Sequence, residues 1–246
     1  MFQKKLQILI LLLCLSLSAI AQKQDAAAWF TLNLEKGINN KLSSHLTNQY
    51  RLNENYSRFD YAYYDIGLDR KFKRWISGTA AYVLNVKNDP IDGITLRHQV
   101  YVNATIETSI GKLKISNRSQ LQTQMEDQDF SKGSGVPDLF YRNKTVFRYK
   151  LKKKIVPFFS PEIYFRINNP VSYASYVNRT RLMIGLDYNV SKRKCFQFYY
   201  MYQNQTSKYG PTITNVIGIR FEYTFKNKKS KDQDNSPNPS SRSGAE

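Results

Sequence analysis

The sequence predicts an all-β protein folded as a single antiparallel transmembrane β-barrel, and three observations lead to that prediction. Long segments alternate apolar and polar residues, no segment shows a convincing helical period, and the connections alternate in length and charge. In Ile94–Ile110 the alternation runs almost unbroken. A strand of a soluble protein is typically about 5–6 residues, whereas a tilted strand that crosses a bilayer needs roughly 9–11. The length of this segment therefore favours a membrane barrel.

Eleven segments have this alternation, and few Gly or Pro residues interrupt them. In chain order they are Ala28–Lys36, Leu42–Arg51, Phe59–Asp69, Trp75–Val86, Ile94–Ser109, Leu113–Met125, Leu139–Tyr149, Val156–Ile167, Tyr176–Val190, Phe196–Tyr202 and Asn215–Phe225. The first is short and carries Trp29, and the fifth has the longest regular pattern. If both ends of the barrel lie in the periplasm, the strand number is even. We therefore expect about twelve strands, one of them missed or merged here, with ten as the alternative count.

The connections differ between the two ends of the predicted barrel. Four are short and basic, at Asp69–Arg74, Ile110–Lys114, Lys150–Lys154 and Ser191–Lys194. Four are longer and neutral or acidic, at Lys87–Gly93, Glu126–Asp138, Asn168–Ser175 and Gln203–Thr212. Short periplasmic turns and longer outer loops are typical of outer-membrane barrels. Because each Lys or Arg beside anionic headgroups gains roughly 1 kcal/mol, the basic turns are predicted to face the periplasm.

Arginine indicates which face of each strand points inward. In Tyr176–Val190 one register holds Arg179, Arg181 and Asp187, while the other is mainly apolar. Since Arg near the midplane of the lipid face costs about 2–4 kcal/mol, the arginine register is predicted to line the lumen. The same argument for the other strands predicts a lumen-facing charged cluster of Arg142, Arg148, Glu162, Arg166, Arg179, Arg181, Asp187, Arg220 and Glu222. This cluster either makes a narrow anion-preferring pore, binds an acidic solute, or fills the lumen with ion pairs, and the narrowness of small barrels favours filling.

The N-terminus reads as a cleaved secretory signal, residues 1–21. Lys4 and Lys5 precede an apolar run, Leu6–Leu17, and Ala19 and Ala21 form a cleavage site of small residues. A lipoprotein signal that uses Cys14 is the weaker alternative, because three leucines precede that cysteine. Cleavage after Ala21 leaves a barrel over residues 22–225 with Cys195 as its one cysteine, which excludes an internal disulfide. Export of this kind predicts location in the cell outer membrane.

The remaining features concern partners. The formal net charge of +18 would suggest nucleic acid in a cytosolic protein, but the signal peptide argues against that partner. We expect outer-membrane lipid and, during biogenesis, the barrel assembly machinery. The last strand has a pattern resembling a C-terminal assembly signal, formed by Gly218, Phe221, Tyr223 and Phe225. Residues 226–246 are rich in Ser, Asn, Pro and Lys and read as a disordered periplasmic tail.

The sequence offers little for catalysis or cofactor binding. Its two histidines, His45 and His98, are far apart, and no phosphate-binding Gly loop or metal-ligand spacing is present. We therefore expect no cofactor, no metal and no enzymatic activity. Two further hypotheses remain open. One is a barrel enzyme acting on lipid or peptide with His45 as its base; the second is a soluble secreted β-barrel that binds a small apolar ligand inside.

Five features follow one another along the chain in an order that is more distinctive than any one of them. They are Trp29 just after the signal, Arg58–Phe72, Val156–Phe165, Asn178–Val190 and Asn215–Phe225. In these features, across nearly the whole mature chain, the protein resembles the uncharacterised outer-membrane β-barrel family common in Bacteroidota. The resemblance implies a membrane barrel and brings no established activity. The polar tail after Phe225 departs from the usual ending.

Overall fold

The computed structural model describes residues 23–89, 93–126, 137–168, 176–207 and 210–226. The predicted signal peptide and all but the first residue of the predicted tail lie outside the described residues. Every element within them is a β-strand or a connection between strands. In this part of the chain, no helix is long and apolar enough to cross a membrane.

Eleven strands make up the described structure, and each overlaps one predicted segment. They are β1 (Lys23–Gly37), β2 (Leu42–Asn53), β3 (Arg58–Lys73), β4 (Ile76–Asp89), β5 (Gly93–Ile110), β6 (Leu113–Glu126), β7 (Asp138–Tyr149), β8 (Ile155–Arg166), β9 (Val177–Asn189), β10 (Lys194–Ser207) and β11 (Gly210–Thr224). The prediction of a loop at Gln203–Thr212 was wrong over most of its length, because β10 and β11 extend into this segment. There the strand residues are polar on both faces, so the alternation that reveals a strand is lost.

The strands form one closed barrel in which each pairs with its neighbours in sequence. These neighbouring pairs are antiparallel, and β1 closes the ring by pairing with β11 in parallel, with Lys23 opposite Thr212 and Glu35 opposite Thr224. The predicted all-β barrel is therefore confirmed, with eleven strands in the described residues. An even number was expected because both ends were placed on one side, and parallel closure removes that condition.

The two rims of the barrel differ in charge as the connections predicted, whereas the predicted difference in length holds only for residues 127–137 and 167–176. At one end, here called the turn rim, the connections are residues 38–41, 74–75, 111–112, 150–154 and 190–193, and they are short and mostly basic. At the opposite end, the loop rim, the connections are residues 54–57, 90–92, 127–137, 167–176 and 208–209. Strand β1 begins at the loop rim and β11 ends at the turn rim. The chain therefore enters and leaves the barrel at opposite ends.

The two faces of the sheet have opposite chemistry. Large apolar side chains are exposed on the outside, among them Ile66 (59%), Val100 (54%) and Ile184 (61%). Polar and charged side chains are buried on the inside, together with a smaller apolar group around Trp29 and Met201. An exposed apolar surface of this extent is typical of contact with a membrane or with another protein. This surface forms an apolar belt around the barrel. Its residues share one face because successive side chains of a strand point to opposite faces.

Candidate lumen site

The lumen contains two separate cavities between the rims. The loop-side cavity has a volume of about 610 Å³ and is lined mainly by polar side chains, including six arginines. The turn-side cavity has a volume of about 30 Å³, which is room for about one water molecule. Between them lies a central layer of side chains that are each at most 6% exposed: Thr31, Gln49, Asp65, Val83, Tyr101, Gln120, Glu162, Met201 and Val216. Within the described residues, this layer separates the two cavities.

Glu162 is the centre of one half of this layer. Arg142 donates to Glu162 Oε1 from Nη2 at 2.8 Å and from Nε at 3.2 Å. Arg118 Nη2 donates to the same oxygen at 3.2 Å, and Arg181 Nη1 lies 3.5 Å from Oε2. Strands β6 to β9 bring these residues together, because inward side chains at matching positions of neighbouring strands lie close to one another. A single buried carboxylate therefore neutralises part of the charge of three buried guanidinium groups.

His45, 7% exposed, is the centre of a second buried group, which includes Asp65 and Tyr101 of the layer. Its Nδ1 lies 2.6 Å from Asp69 Oδ2 and its Nε2 lies 3.3 Å from Asp65 Oδ1. Tyr63 and Tyr101 donate to Asp65 Oδ2 at 3.0 and 2.9 Å. Because an ionised carboxylate only accepts hydrogen bonds, both ring nitrogens donate when His45 is protonated. The geometry thus fits a buried imidazolium between two carboxylates.

Space for this imidazole depends on a glycine in the neighbouring strand. Gly67 lies opposite His45 in the β2–β3 register. A Cβ at Gly67 would overlap His45 Cε1 and would lie 2.6 Å from Ala81 Cβ and 2.8 Å from His45 Nε2. These separations are far below van der Waals contact, so a side chain at this position would displace the ring from its two carboxylates.

Arginines of the loop-side cavity are stacked on aromatic rings. The guanidinium carbon of Arg51 lies 3.8 Å from the centroid of Trp29, and that of Arg181 lies 5.2 Å from it. Over Tyr164, Arg142 lies at 4.3 Å and Arg179 at 5.0 Å. These six residues are here called the arginine–aromatic stack. Contacts of this kind restrict the guanidinium groups, and Arg181 Nη1 also donates to the Tyr164 hydroxyl at 2.5 Å.

The structure divides the predicted charged cluster among four places. Arg142, Glu162, Arg179 and Arg181 lie together in or beside the central layer. Arg148 pairs with Asp187 at 3.1 Å, on the turn side of that layer. Arg220 lies 4.0 Å from Glu222, and Arg166 is paired with Asp138 near the loop rim. Four of the nine residues therefore form one group, and the rest form local pairs.

Several residues of the site were missed from the sequence. Arg51 follows His45, Thr47 and Gln49 in one register of β2, and that register was available as a signal for it. Arg118 shares a register with Gln120 and Gln122, and Asp65 shares one with Asp69, so their inward direction was also available as a signal. Their partners lie on other strands and could not be read from one segment. Trp29 was treated only as a landmark of the first strand, and its place in the stack depends on the pairing of β1 with β2.

The predicted assembly signal lies at the end of β11, with Phe225 directly after the strand. Phe221, Tyr223 and Phe225 share the outer face, where Phe221 packs on Phe196 with ring centroids 4.9 Å apart. Gly218 faces inward, and a Cβ there would overlap the ring of Tyr199. Gly218 thus has a packing role, while a role of the four residues in assembly stays a prediction.

We expect Gly218→Ala to lower the free energy of unfolding by about 1–3 kcal/mol, because the buried Tyr199 ring must move to admit the methyl group. Urea titration of the folded barrel measures this change. The control is Ala104→Val, which adds carbon atoms on the exposed outer face. Equal urea midpoints for Gly218→Ala and the wild type would show that the ring moves without cost.

The remaining His and Cys side chains of the described residues add little chemistry. In that part of the chain, no group of three or more His, Cys, Asp or Glu side chains is arranged to hold a metal ion. His98 lies on the outer face and its Nδ1 is hydrogen-bonded to the hydroxyl of Tyr82. Cys195 is a buried thiol outside any disulfide of the described residues.

Comparison with known proteins gives a family and a distant structural likeness. A family profile described as "Protein of unknown function (DUF2490)" matches residues 26–214. Among curated proteins, no sequence matches this chain. Among solved structures, a NanC porin in a rhombohedral crystal form is similar at 13% identity, with 74% of this chain and 87% of that chain covered and a TM-score of 0.47. A likeness of that size carries no conclusion about function.

Proposed function

Because this chain belongs to DUF2490, a family of proteins of unknown function, we propose a function from its geometry: a non-enzymatic outer-membrane β-barrel whose lumen is closed by the central layer. The observation that carries this proposal is the combination of an apolar belt outside with a filled, charged layer inside. Anchoring in the bilayer follows from the first feature, and closure follows from the second.

The outer face supports a membrane location. Exposed residues such as Ile94, Val102 and Ile106 on β5 form an apolar row that His98 interrupts. In water this surface would drive aggregation, whereas in a bilayer its apolar side chains contact the lipid acyl chains. The basic turn rim fits the periplasmic side, where Lys and Arg meet anionic headgroups. This orientation directs the loop-side cavity outward.

The lumen supports closure over conduction. Gln49, Asp65 and Met201 are 0% exposed, and Gln120 is 1% exposed, although all lie in the middle of the barrel. An ion that crossed this layer would have to displace side chains held by buried hydrogen bonds. A narrow anion-preferring pore is therefore a weaker interpretation of the arginines than a filled lumen.

A barrel enzyme and a soluble ligand-binding barrel both have less support. A hydrolase needs a nucleophile beside its base, but both nitrogens of His45 are directed to the carboxylates of Asp65 and Asp69. The adjoining turn-side cavity is too small for a lipid or peptide. A soluble barrel with an apolar ligand needs apolar residues inside and charged residues outside, and the structure has the reverse arrangement.

We expect the purified barrel to show no steady conductance in planar bilayers, because the central layer blocks the lumen. The matched variant replaces Gln120 and Met201 with alanine and thins the layer without changing its charge, so its conductance should rise. A heat-dependent shift of mobility in dodecyl sulfate shows that both proteins are folded barrels. A steady open channel in the wild type would overturn closure, and an absent heat shift would overturn the membrane barrel.

A further inference from the structure

We propose that the loop-side cavity is a binding site for a small acidic solute, held through its carboxylate or phosphate oxygens. The site goes beyond the proposed function, which concerns the bilayer and the central layer. Its volume of about 610 Å³ lies within the range of small-molecule sites, roughly 300–1,000 Å³. A cavity of that size holds an organic acid.

The charge of the lining selects for anions. Seven Lys and Arg residues line the cavity, against three acidic residues, Asp25, Glu54 and Asp60. Two of these acids are already engaged. Asp25 accepts hydrogen bonds from the backbone amides of residues 54 and 55 at 3.2 and 3.1 Å, and Glu54 pairs with Arg58 at 3.2 Å. Lys87 of the lining pairs with Asp89 at 2.9 Å. Even with Asp89 and with Glu162 of the central layer counted, the seven cations outnumber the five acids, and this surplus concentrates anions in the cavity.

Arg179 presents to the cavity a buried donor that lacks an acceptor in the described structure. Its Nε is buried and has no hydrogen-bond partner among the described residues. Its guanidinium stacks on Tyr164. The neighbouring Arg181 is satisfied, because its Nε donates to Gln203 at 2.8 Å and its Nη1 contacts Tyr164 and Glu162. A buried donor without an acceptor is costly, and a bound oxyanion would satisfy it.

The arginine–aromatic stack gives the site its geometry. Arg51 is held between Trp29, at 3.8 Å, and Tyr61, at 4.9 Å, while its Nε donates to Gln49 at 2.6 Å. Planar guanidinium groups fixed in this way present paired N–H donors, and these match the two oxygens of a carboxylate or phosphate. Because the side chains are already ordered, binding costs less conformational entropy than at a flexible lysine patch.

The stack also supplies a reporter. The chain has two tryptophans. Trp29 is buried in the stack, whereas Trp75 is 49% exposed at the turn rim. A Trp75→Phe variant of the full barrel thus leaves Trp29 as the one source of tryptophan fluorescence. An anion that draws Arg51 or Arg181 toward itself changes the environment of this ring.

The experiment titrates the Trp75→Phe barrel in detergent with citrate and, separately, with inorganic phosphate. We expect saturable changes in Trp29 fluorescence, and the tighter of the two probes distinguishes carboxylate from phosphate recognition. Sodium chloride at matched ionic strength is the control. A response equal to that of chloride, or no saturation with either probe, would overturn the site.

Variants tie the response to named side chains. Arg179→Gln is expected to weaken binding about tenfold or more, since a charge-assisted hydrogen bond is lost, and Arg179→Lys should restore part of it. Lys153→Gln removes the same charge from an exposed position at the turn rim and should bind as the parent does. Unchanged binding in Arg179→Gln would contradict the proposal. If the barrel is heat-modifiable and binds neither probe, the binding site is contradicted and the proposed function is not affected.

Discussion

Replacing Glu162 with glutamine is expected to lower the free energy of unfolding by about 3–5 kcal/mol, the cost of breaking a buried ion pair by removing one partner. Glu162 contacts Arg118, Arg142 and Arg181. Glutamine keeps the shape of the side chain and one acceptor oxygen. The loss of stability therefore measures the contribution of the negative charge of Glu162. Without the carboxylate, the three buried guanidinium groups repel one another with no anion between them.

Urea titration of the barrel in lipid vesicles measures this loss, with the heat-modifiable fraction as readout. Glu107→Gln is the matched control, because Glu107 pairs with Lys114 at 3.0 Å near the turn rim and both side chains are partly exposed. Pairs of that kind contribute about 1 kcal/mol or less. Equal losses for the two variants would show that the central layer is hydrated and that its charges are screened.

His45→Leu is expected to cost a similar amount, about 3–5 kcal/mol, because it leaves Asp65 and Asp69 buried without their shared cation. The tyrosine hydroxyls still donate to Asp65, and Thr79 still donates to Asp69 at 2.6 Å. These neutral donors do not offset two adjacent negative charges. The unfolding midpoint in urea measures the effect.

A second variant separates this structural role from catalysis. His45→Leu combined with Asp69→Asn removes one cation and one anion, so we expect it to recover part of the stability lost in the single variant. A catalytic histidine would behave otherwise, with a stable fold and lost activity. Wild-type stability in His45→Leu would therefore contradict the structural assignment and return His45 to the candidates for a base.

The features that could be predicted from the sequence are those that depend on the residues of one strand or one connection alone. The alternation in Ile94–Ile110 is local, and the structure places Val100, Val102 and Ile106 outside and Gln99 and Thr105 inside, as a strand period of two requires. The charge difference between the rims was likewise predictable, because each connection carries its own charge, whereas strands extend into several segments that were predicted as connections.

The features that could not be predicted arise between strands. Arg118 reaches Glu162 from two strands away, and Tyr101 reaches Asp65 across β4. Such contacts depend on barrel diameter and stagger, which no single segment specifies. The same reason explains the seam. Whether the last strand meets β1 in parallel or antiparallel depends on the number of strands, and one additional strand reverses it.

Parallel closure also has a kinetic consequence. Before β1 and β11 meet, both are open sheet edges with unpaired backbone groups, and such edges pair readily with other chains. Their pairing joins the first strand to the last, from Lys23 and Thr212 to Glu35 and Thr224, which are the most distant contacts in the described sequence. Contacts between distant residues form slowly. We therefore expect closure of this seam to be a slow step of refolding, and to lengthen the interval during which the barrel is exposed to aggregation.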